Sequence, residues 1–299
     1  MDLLNSDHLS YTDDLLNHVY YLEHNLSLQP TSNHHLTAIK FSDIKERRHD
    51  FLSELVNTIG SWVYNRQKQN EIYQKRFQTS NSIAIAASHL TNLAHKKFRP
   101  GHPQGQFGEL LLFNLLQHFF KAAPLLRKQK ITTNINLERN GADAIHYKPE
   151  AGKHIIYLGE SKCYESKYQF SAALKRSLES INETFDNFDS EMDLYVYDDF
   201  IEPDLLNVAE SYKSGTLQNV QFEFVCLVVY NENKELPSSN EIEIHNTIRD
   251  VVIERAKKFE ENHFQICHKI LSRLHFIIFP LWELDQFLDN FQSKVGSDV

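Results

Sequence analysis

Four ionisable residues in the middle of this 299-residue chain have the types and order that metal-assisted hydrolysis requires. Mg²⁺ prefers oxygen ligands in octahedral geometry and usually takes one or two carboxylates, with waters and substrate phosphate completing its shell. Asp143 and Glu160 would supply those carboxylates, and Glu109 would support the ion directly or through a water. Such an ion would polarise a phosphodiester and acidify a water, while Lys162 would position that water or neutralise developing charge.

The sequence therefore predicts a metal-dependent hydrolytic site made of four residues. We predict Glu109, Asp143, Glu160 and Lys162 as catalytic residues, with the three carboxylates as metal ligands. Mg²⁺ is the expected cofactor and Mn²⁺ is the alternative, since both ions favour carboxylate oxygens.

The elements that must position these residues are a buried helix and successive strands. Residues 107–120 are apolar on nearly every side, as is typical of a buried helix, and Glu109 falls in its first turn. Three extended segments follow, at 130–137, 142–147 and 154–158. Asn140-Gly141, between the first two, is a typical hairpin signal. Because side chains alternate along a strand, Glu160 and Lys162 at the end of the third segment should share one face.

The rest of the second half continues the alternation of helices and strands. Helices are predicted at 170–185, 241–262 and 283–291, and strands at 220–230 and 274–279. This order is typical of a mixed α/β layer fold.

The first hundred residues have a different pattern. Apolar residues at three- and four-residue spacings predict a helix over 51–77, and a second helix is predicted at 82–95. Only 36–41 has the pattern of a short strand. A Pro/Gly cluster at 99–105 marks the expected boundary. We predict a mainly helical region over 1–100, with partner docking as its candidate role, and a second domain over 101–299.

Composition narrows the classes of protein. The formal charge of −9 disfavours a freestanding nucleic-acid coat protein, which would be basic. The three cysteines lie far apart, which excludes a zinc ribbon or disulfide framework. No apolar run approaches the roughly 20 residues of a membrane span, and the acidic N-terminus lacks the layout of a signal peptide. We therefore expect a cytoplasmic protein without a membrane partner. No ATP-binding Gly-x-x-x-x-Gly-Lys-Ser/Thr loop occurs in the sequence.

Carboxylate-x-Lys alone is a weak signal. The chain contains it four times, beginning at Asp43, Glu160, Glu165 and Glu232. Only Glu160 follows an apolar strand, has Gly-Ala-Asp on the preceding predicted strand, and has a buried helix carrying a glutamate before both. Context therefore distinguishes Glu160 from solvated charge pairs.

This order of motifs resembles the PD-(D/E)xK nuclease superfamily, although Ala142 stands where the superfamily has proline. More narrowly, the motifs at 108–110, 141–143 and 159–162 are similar to those of the HamA family of Hachiman antiphage defence. The resemblance implies a restriction-endonuclease-like mixed sheet flanked by helices. It also implies a metal-dependent nuclease that acts on DNA and is restrained by a HamB-like superfamily 2 helicase.

Two other functions remain open. The chain could be a non-catalytic adaptor that keeps the fold as a protein-binding scaffold, or an independent restriction-type endonuclease. Lys175 and Arg176, on the helix after the third strand, are candidate phosphate contacts. Most of the sixteen histidines are expected to be structural, and His146 and His154, near the predicted site, are the two candidate exceptions.

Overall fold

A computed structural model describes most of the chain. It covers residues 8–26, 28, 34–98, 103–127, 141–164, 170–195, 201, 203–237, 239–259 and 270–296. The predicted strand at 130–137, Asn140 of the hairpin signal and most of the 99–105 cluster lie outside the described residues.

A seven-stranded mixed sheet organises the described part of the chain. Its strands are β1 (Val19–His24), β2 (His34–Ile39), β5 (Ala123–Leu126), β6 (Ala144–Glu150), β7 (Lys153–Tyr164), β8 (Val220–Asn231) and β9 (Leu274–Leu281). A small hairpin of β3 (Phe41–Ser42) and β4 (Lys45–Glu46) stands apart. The order across the sheet is β1-β2-β9-β8-β7-β6-β5. Strands β2, β9, β8 and β7 pair in parallel, and β1, β6 and β5 add antiparallel neighbours at the two sides.

Helices cover both faces of the sheet. The helices described are α1 (Asp13–Leu16), α2 (Arg48–Asn57), α3 (Ile59–Val63), α4 (Arg66–Ser80), α5 (Ile83–His95), α6 (Pro103–Phe119), α7 (Phe170–Tyr195), α8 (Leu206–Lys213), α9 (Glu241–Lys257) and α10 (Leu284–Gly296), with 3-10 turns at Pro203–Leu205 and Leu271–Arg273. Side-chain oxygens of Asn65, Ser82 and Asn240 accept a backbone N–H at the starts of α4, α5 and α9.

Two hydrophobic cores lie on opposite sides of the sheet. One packs Leu174 and Leu178 of α7 against Leu158 and Phe224. The other packs α2, α6 and α10 against the residues that alternate with those, such as Tyr157 and Val225. Because both faces of β7 and β8 are covered, these strands are apolar along most of their length.

The N-terminal segment contributes both helices and strands. Strand β2 confirms the extended pattern predicted at 36–41, whereas the edge strand β1 was not predicted, since its apolar residues run consecutively from Val19 to Leu22 and do not alternate with polar ones. The single helix predicted over 51–77 is three helices, because Tyr64 is extended and Asn65 caps a new start. Segments on both sides of residue 100 share the sheet and the core around α2 and α6.

The second half follows the predicted order with longer elements. Helices α7 and α10 and strands β8 and β9 confirm the predicted elements at those places. Strand β5 was not predicted because it contains Pro124, which an edge strand tolerates. The α/β class, with a mixed sheet between helices and a helix-containing N-terminal region, is therefore confirmed. Within the described residues, no helix combines the length and apolar character needed to cross a bilayer.

Candidate functional site

The candidate site forms where β7 continues past the end of its neighbour β6. The last pair between them joins Ala144 to Gly159, whereas β7 stays paired with β8 as far as Tyr164 and Tyr230. Glu160 and Lys162 therefore lie inside a strand, not at or beyond its end as predicted. The prediction was wrong because the polar residues 160–162 resemble a strand end in the sequence. In the structure, pairing with β8 continues the strand beyond these residues.

Asp143 directly precedes β6 and lies beside β7 where the pairing of the two strands ends. Its backbone N–H donates to the carbonyl oxygen of Gly159 at 2.9 Å. Its Oδ2 accepts from the backbone N–H of Ser161 at 2.8 Å and from the Ser161 hydroxyl at 2.9 Å. Both of these side-chain bonds are at Oδ2, so within the described residues Oδ1 keeps its capacity to accept. The carboxylate thus replaces a missing ladder partner and is fixed beside the Glu-Ser-Lys segment.

Glycines permit the close approaches on which this geometry depends. Gly141, two residues before Asp143, has φ 133°, which L side chains rarely adopt. On α6, a Cβ at Gly108 would lie 3.0 Å from Ser161 Oγ. On β7, a Cβ at Gly159 would lie 2.9 Å from Leu112 Cδ2. The glycine of each predicted motif therefore has a steric role.

Glu160 is buried on the α7 face of the sheet, with its side chain 3% exposed. Its Oε1 accepts from the Thr184 hydroxyl and its Oε2 from the Ser180 hydroxyl, each at 2.7 Å. Burial, together with the nearby Asp143 carboxylate, raises the pKa of Glu160 to about 7 against the opposing effect of Lys162. Two carboxylates are therefore held close enough to repel each other.

Lys162 shares the face of Glu160, as strand alternation predicted. Its Nζ lies 3.3 Å from Glu160 Oε2 and donates to Ser180 Oγ at 3.2 Å. Burial opposes the charge of the ammonium, but the carboxylates of Glu160 and Asp143 outweigh it and raise the pKa of Lys162. The amine therefore stays protonated, and it suits charge neutralisation or water orientation rather than proton abstraction.

Glu109 reaches the same place from α6. The helix begins at Pro103, so Glu109 lies in its second turn, not in the first as predicted. An open cleft of about 550 Å³ is lined by Gln104, Gly105, Glu109, Asp143, Ser161, Lys162, Cys163 and Tyr164. Glu160 is not among these lining residues, because its side chain turns into the contact with α7.

The donor set fits a magnesium ion. Among the described residues, no three His, Cys, Asp or Glu side chains form a ready-made metal-binding group. Magnesium does not need one, since it commonly takes one or two carboxylates and keeps several waters. Asp143 and Glu160 offer oxygen donors of that kind, and their mutual repulsion is what a divalent cation would relieve. The fit rests on the chemistry of this pair.

The two histidines near the site are structural. His146 is buried on β6, with its Nδ1 2.9 Å from the carbonyl oxygen of Ala122, and burial lowers its pKa to about 3. His154 Nδ1 lies 2.6 Å from the Tyr147 hydroxyl. Neither lines the cleft.

On α7, the structure shows a role for residues that sequence reasoning missed. The predicted phosphate contacts Lys175 and Arg176 are partly or fully exposed, and Lys175 lies 3.8 Å from the Glu179 carboxylate. Their contact with phosphate stays a prediction. Ser180 and Thr184, which bind Glu160, were not predicted. The available signal was two hydroxyl residues four apart on the buried side of an amphipathic helix.

The sequence of the chain matches a known protein family. The sequence model of the HamA family matches residues 13–295, which include all four predicted site residues and both sides of residue 100. No curated protein matches the sequence.

Proposed function

Since the chain belongs to the HamA family, which indicates a component of Hachiman antiphage defence, we propose that it is a nuclease of that system. In this proposal it hydrolyses DNA phosphodiesters with Mg²⁺. The observation that supports it is the convergence of Asp143, Glu160 and Lys162 beside an open cleft.

Each residue has a role that follows from its contacts. Asp143 and Glu160 would hold the ion, with Glu109 supporting it across the cleft. When bound there, the ion would supply charge for the scissile phosphate and lower the pKa of a water. Lys162, kept protonated by its carboxylate neighbours, would orient the attacking water and offset the negative charge of the transition state.

The charge of the chain supports control by a partner. A net charge of −9 opposes tight binding to DNA by the protein alone, because affinity for DNA depends on neutralising phosphates. We propose that a HamB-like superfamily 2 helicase restrains the nuclease and delivers DNA to it. Tight binding of DNA by the isolated chain at physiological salt would contradict this part of the proposal.

Plasmid cleavage tests the proposed activity. Purified wild-type protein with Mg²⁺ should convert supercoiled plasmid to nicked or degraded DNA, and a chelator should stop it. Asp143→Asn, which keeps an acceptor for Ser161, should be inactive. Asp186→Asn, which changes an exposed carboxylate on α7, is the matched control.

Absence of cleavage would leave two alternatives, a nuclease that needs its helicase partner and a non-catalytic adaptor. If wild-type protein is inactive alone, the assay is repeated with the helicase and ATP. Inactivity in that mixture as well, while the chain still binds the helicase, would overturn the nuclease proposal in favour of an adaptor. Sequence-specific cleavage by the isolated chain would instead favour a restriction-type endonuclease.

A further inference from the structure

Both carboxylate oxygens of Glu160 are held by hydroxyls of one helix. Thr184 Oγ1 donates to Oε1 and Ser180 Oγ donates to Oε2, each at 2.7 Å. We infer that Ser180 and Thr184 are positioning residues that orient Glu160 to bind a divalent cation. This inference rests on the proposed metal-dependent function.

The two hydroxyls are available because they do not bond to their own helix. Ser and Thr within helices commonly donate to a backbone carbonyl one turn earlier. Ser177 on α7 does so, donating to the Leu174 carbonyl at 2.7 Å. Ser180 and Thr184, one and two turns further on, donate across to β7 instead. The contrast within one helix identifies these two hydroxyls as partners of Glu160.

Ser180 also connects Glu160 to Lys162. Its Oγ accepts from Lys162 Nζ at 3.2 Å while donating to Glu160 Oε2. One hydroxyl thereby fixes the carboxylate relative to the ammonium. A backbone shift of α7 would disturb both groups together.

The bonding pattern leaves room for a cation. An ionised carboxylate has about four lone-pair sites. In the described contacts, Oε2 accepts from both Ser180 and Lys162, whereas Oε1 accepts from Thr184. The hydroxyls therefore stabilise the ionised form of Glu160 without using all its acceptor sites, so the carboxylate could still bind a cation.

Calorimetric binding of Mn²⁺ to the DNA-free protein tests the inference without depending on activity. Thr184→Val removes the hydroxyl with little change of shape, and Ser180→Ala removes the bridge. Loss of contacts that orient a metal ligand typically weakens metal affinity about 10- to 100-fold. We expect both variants to weaken Mn²⁺ binding by that factor and to raise the Mg²⁺ concentration needed for half-maximal cleavage.

Matched variants separate positioning from packing. Thr184→Ser restores the donor and should recover most of the affinity. Ser177→Ala removes a buried hydroxyl of the same helix that does not contact Glu160, and it should bind Mn²⁺ as the wild type does. Circular dichroism and thermal melts establish that each variant is folded.

Three outcomes would overturn the inference. Unchanged Mn²⁺ affinity in Thr184→Val and Ser180→Ala would show that the hydroxyls only pack. Tighter binding would show that they compete with the cation. Wild-type protein that neither binds Mn²⁺ nor cleaves DNA, even with the helicase and ATP added, would refute the proposed function itself. This result is distinguished from the others because it does not depend on any variant.

Discussion

The sheet buries titratable clusters on opposite faces, and the two differ in how they accommodate burial. The first cluster, on the α7 face near the carboxyl end of β7, combines Glu160 and Lys162 with the nearby Asp143. The second lies on the α6 face near the start of β9 and includes His35 and His275. We call them the carboxylate cluster and the histidine cluster.

In the histidine cluster, the hydrogen-bond partner of the buried His35 is a neutral hydroxyl. His35 Nδ1 lies 2.7 Å from the Tyr21 hydroxyl, and its ring packs against Phe119. Burial, together with the neighbouring His275, lowers the pKa of His35 to about 4 against the opposing effect of the Glu23 carboxylate. His275 Nε2 lies 3.2 Å from Glu223 Oε2. At neutral pH, His35 therefore carries no charge that needs compensation.

The carboxylate cluster retains an electrostatic conflict. Its hydrogen bonds satisfy Glu160, yet two carboxylates face one ammonium in a desolvated place. Burial is tolerated in the histidine cluster because His35 loses its charge, whereas the carboxylate cluster has two negative groups and one positive group whenever Glu160 is ionised. This difference, more than the number of titratable groups, marks one cluster as a candidate site for a cation.

The largest expected effect is on activity. Glu160→Gln removes a proposed metal ligand and should reduce Mg²⁺-dependent DNA cleavage more than about 100-fold. Glu223→Gln makes the same change in the histidine cluster and should leave the cleavage rate close to that of the wild type. Initial rates on plasmid DNA measure both. Equal losses in the two variants would remove the functional distinction between the clusters.

Next in size are opposite effects of pH on stability. The pKa of Glu160 is raised from 4.5 to about 7, so its contribution to stability is full below about pH 4.5 and lost as pH rises through 7. The pKa of His35 is lowered from 6.5 to about 4, so its contribution is full above pH 6.5 and lost as pH falls through 4. Each contribution is about 3 kcal/mol at most.

Urea unfolding from pH 4 to 8 in chelator measures these contributions to the free energy of unfolding. Glu160→Gln should flatten the loss of stability on the alkaline side, and His35→Gln should flatten the loss on the acid side. Curves that run parallel to the wild type would contradict the assigned protonation states. Added Mg²⁺ should stabilise the wild type increasingly as pH rises, but not Glu160→Gln.

A smaller effect is expected from the contact between α6 and β7. Gly108→Ala places a Cβ 3.0 Å from Ser161 Oγ and should destabilise the protein by about 1–3 kcal/mol. Gly105→Ala, on the same helix with nothing within 4 Å, should instead stabilise by about 0.5–1 kcal/mol. Urea unfolding of the two variants compares them.

The Gly108→Ala variant also tests whether the two clusters are independent of each other. Gly108 lies near the carboxylate cluster, whereas Phe119 at the other end of α6 covers His35. NMR titration of His35 should therefore be unchanged in Gly108→Ala, while Mn²⁺ affinity falls. A shifted His35 titration would show that the two faces are not independent.

Local patterns in the sequence predicted much of the fold. The apolar stripe at 52–63, the buried helix around Phe107 and the strands β8 and β9 follow from periodicity that packing preserves. The shared face of Glu160 and Lys162 follows from strand alternation. The edge strands β1 and β5 were missed because β1 does not alternate apolar with polar residues and β5 contains Pro124.

The parts of the site that escaped prediction depend on non-local register. Strand β7 extends beyond the end of β6 because it pairs with β8. The paired residues are far apart in the chain: Glu160 pairs with Cys226, some 66 residues later. The hydroxyls of Ser180 and Thr184 meet Glu160 only because of how α7 packs on β7. No local pattern specifies either relationship. The roles of Glu109, Asp143, Glu160 and Lys162 in catalysis stay predictions.

The extension of β7 beyond β6 has a consequence for synthesis of the chain on the ribosome. Among the described residues, segment 160–164 has ladder partners only at 226–230 of β8. While β8 is still untranslated, Glu160 and Lys162 belong to a strand without a neighbour on either side. The carboxylate cluster can therefore reach its buried geometry only after residue 230 has emerged, so the proposed nuclease activity could not arise before that point of translation.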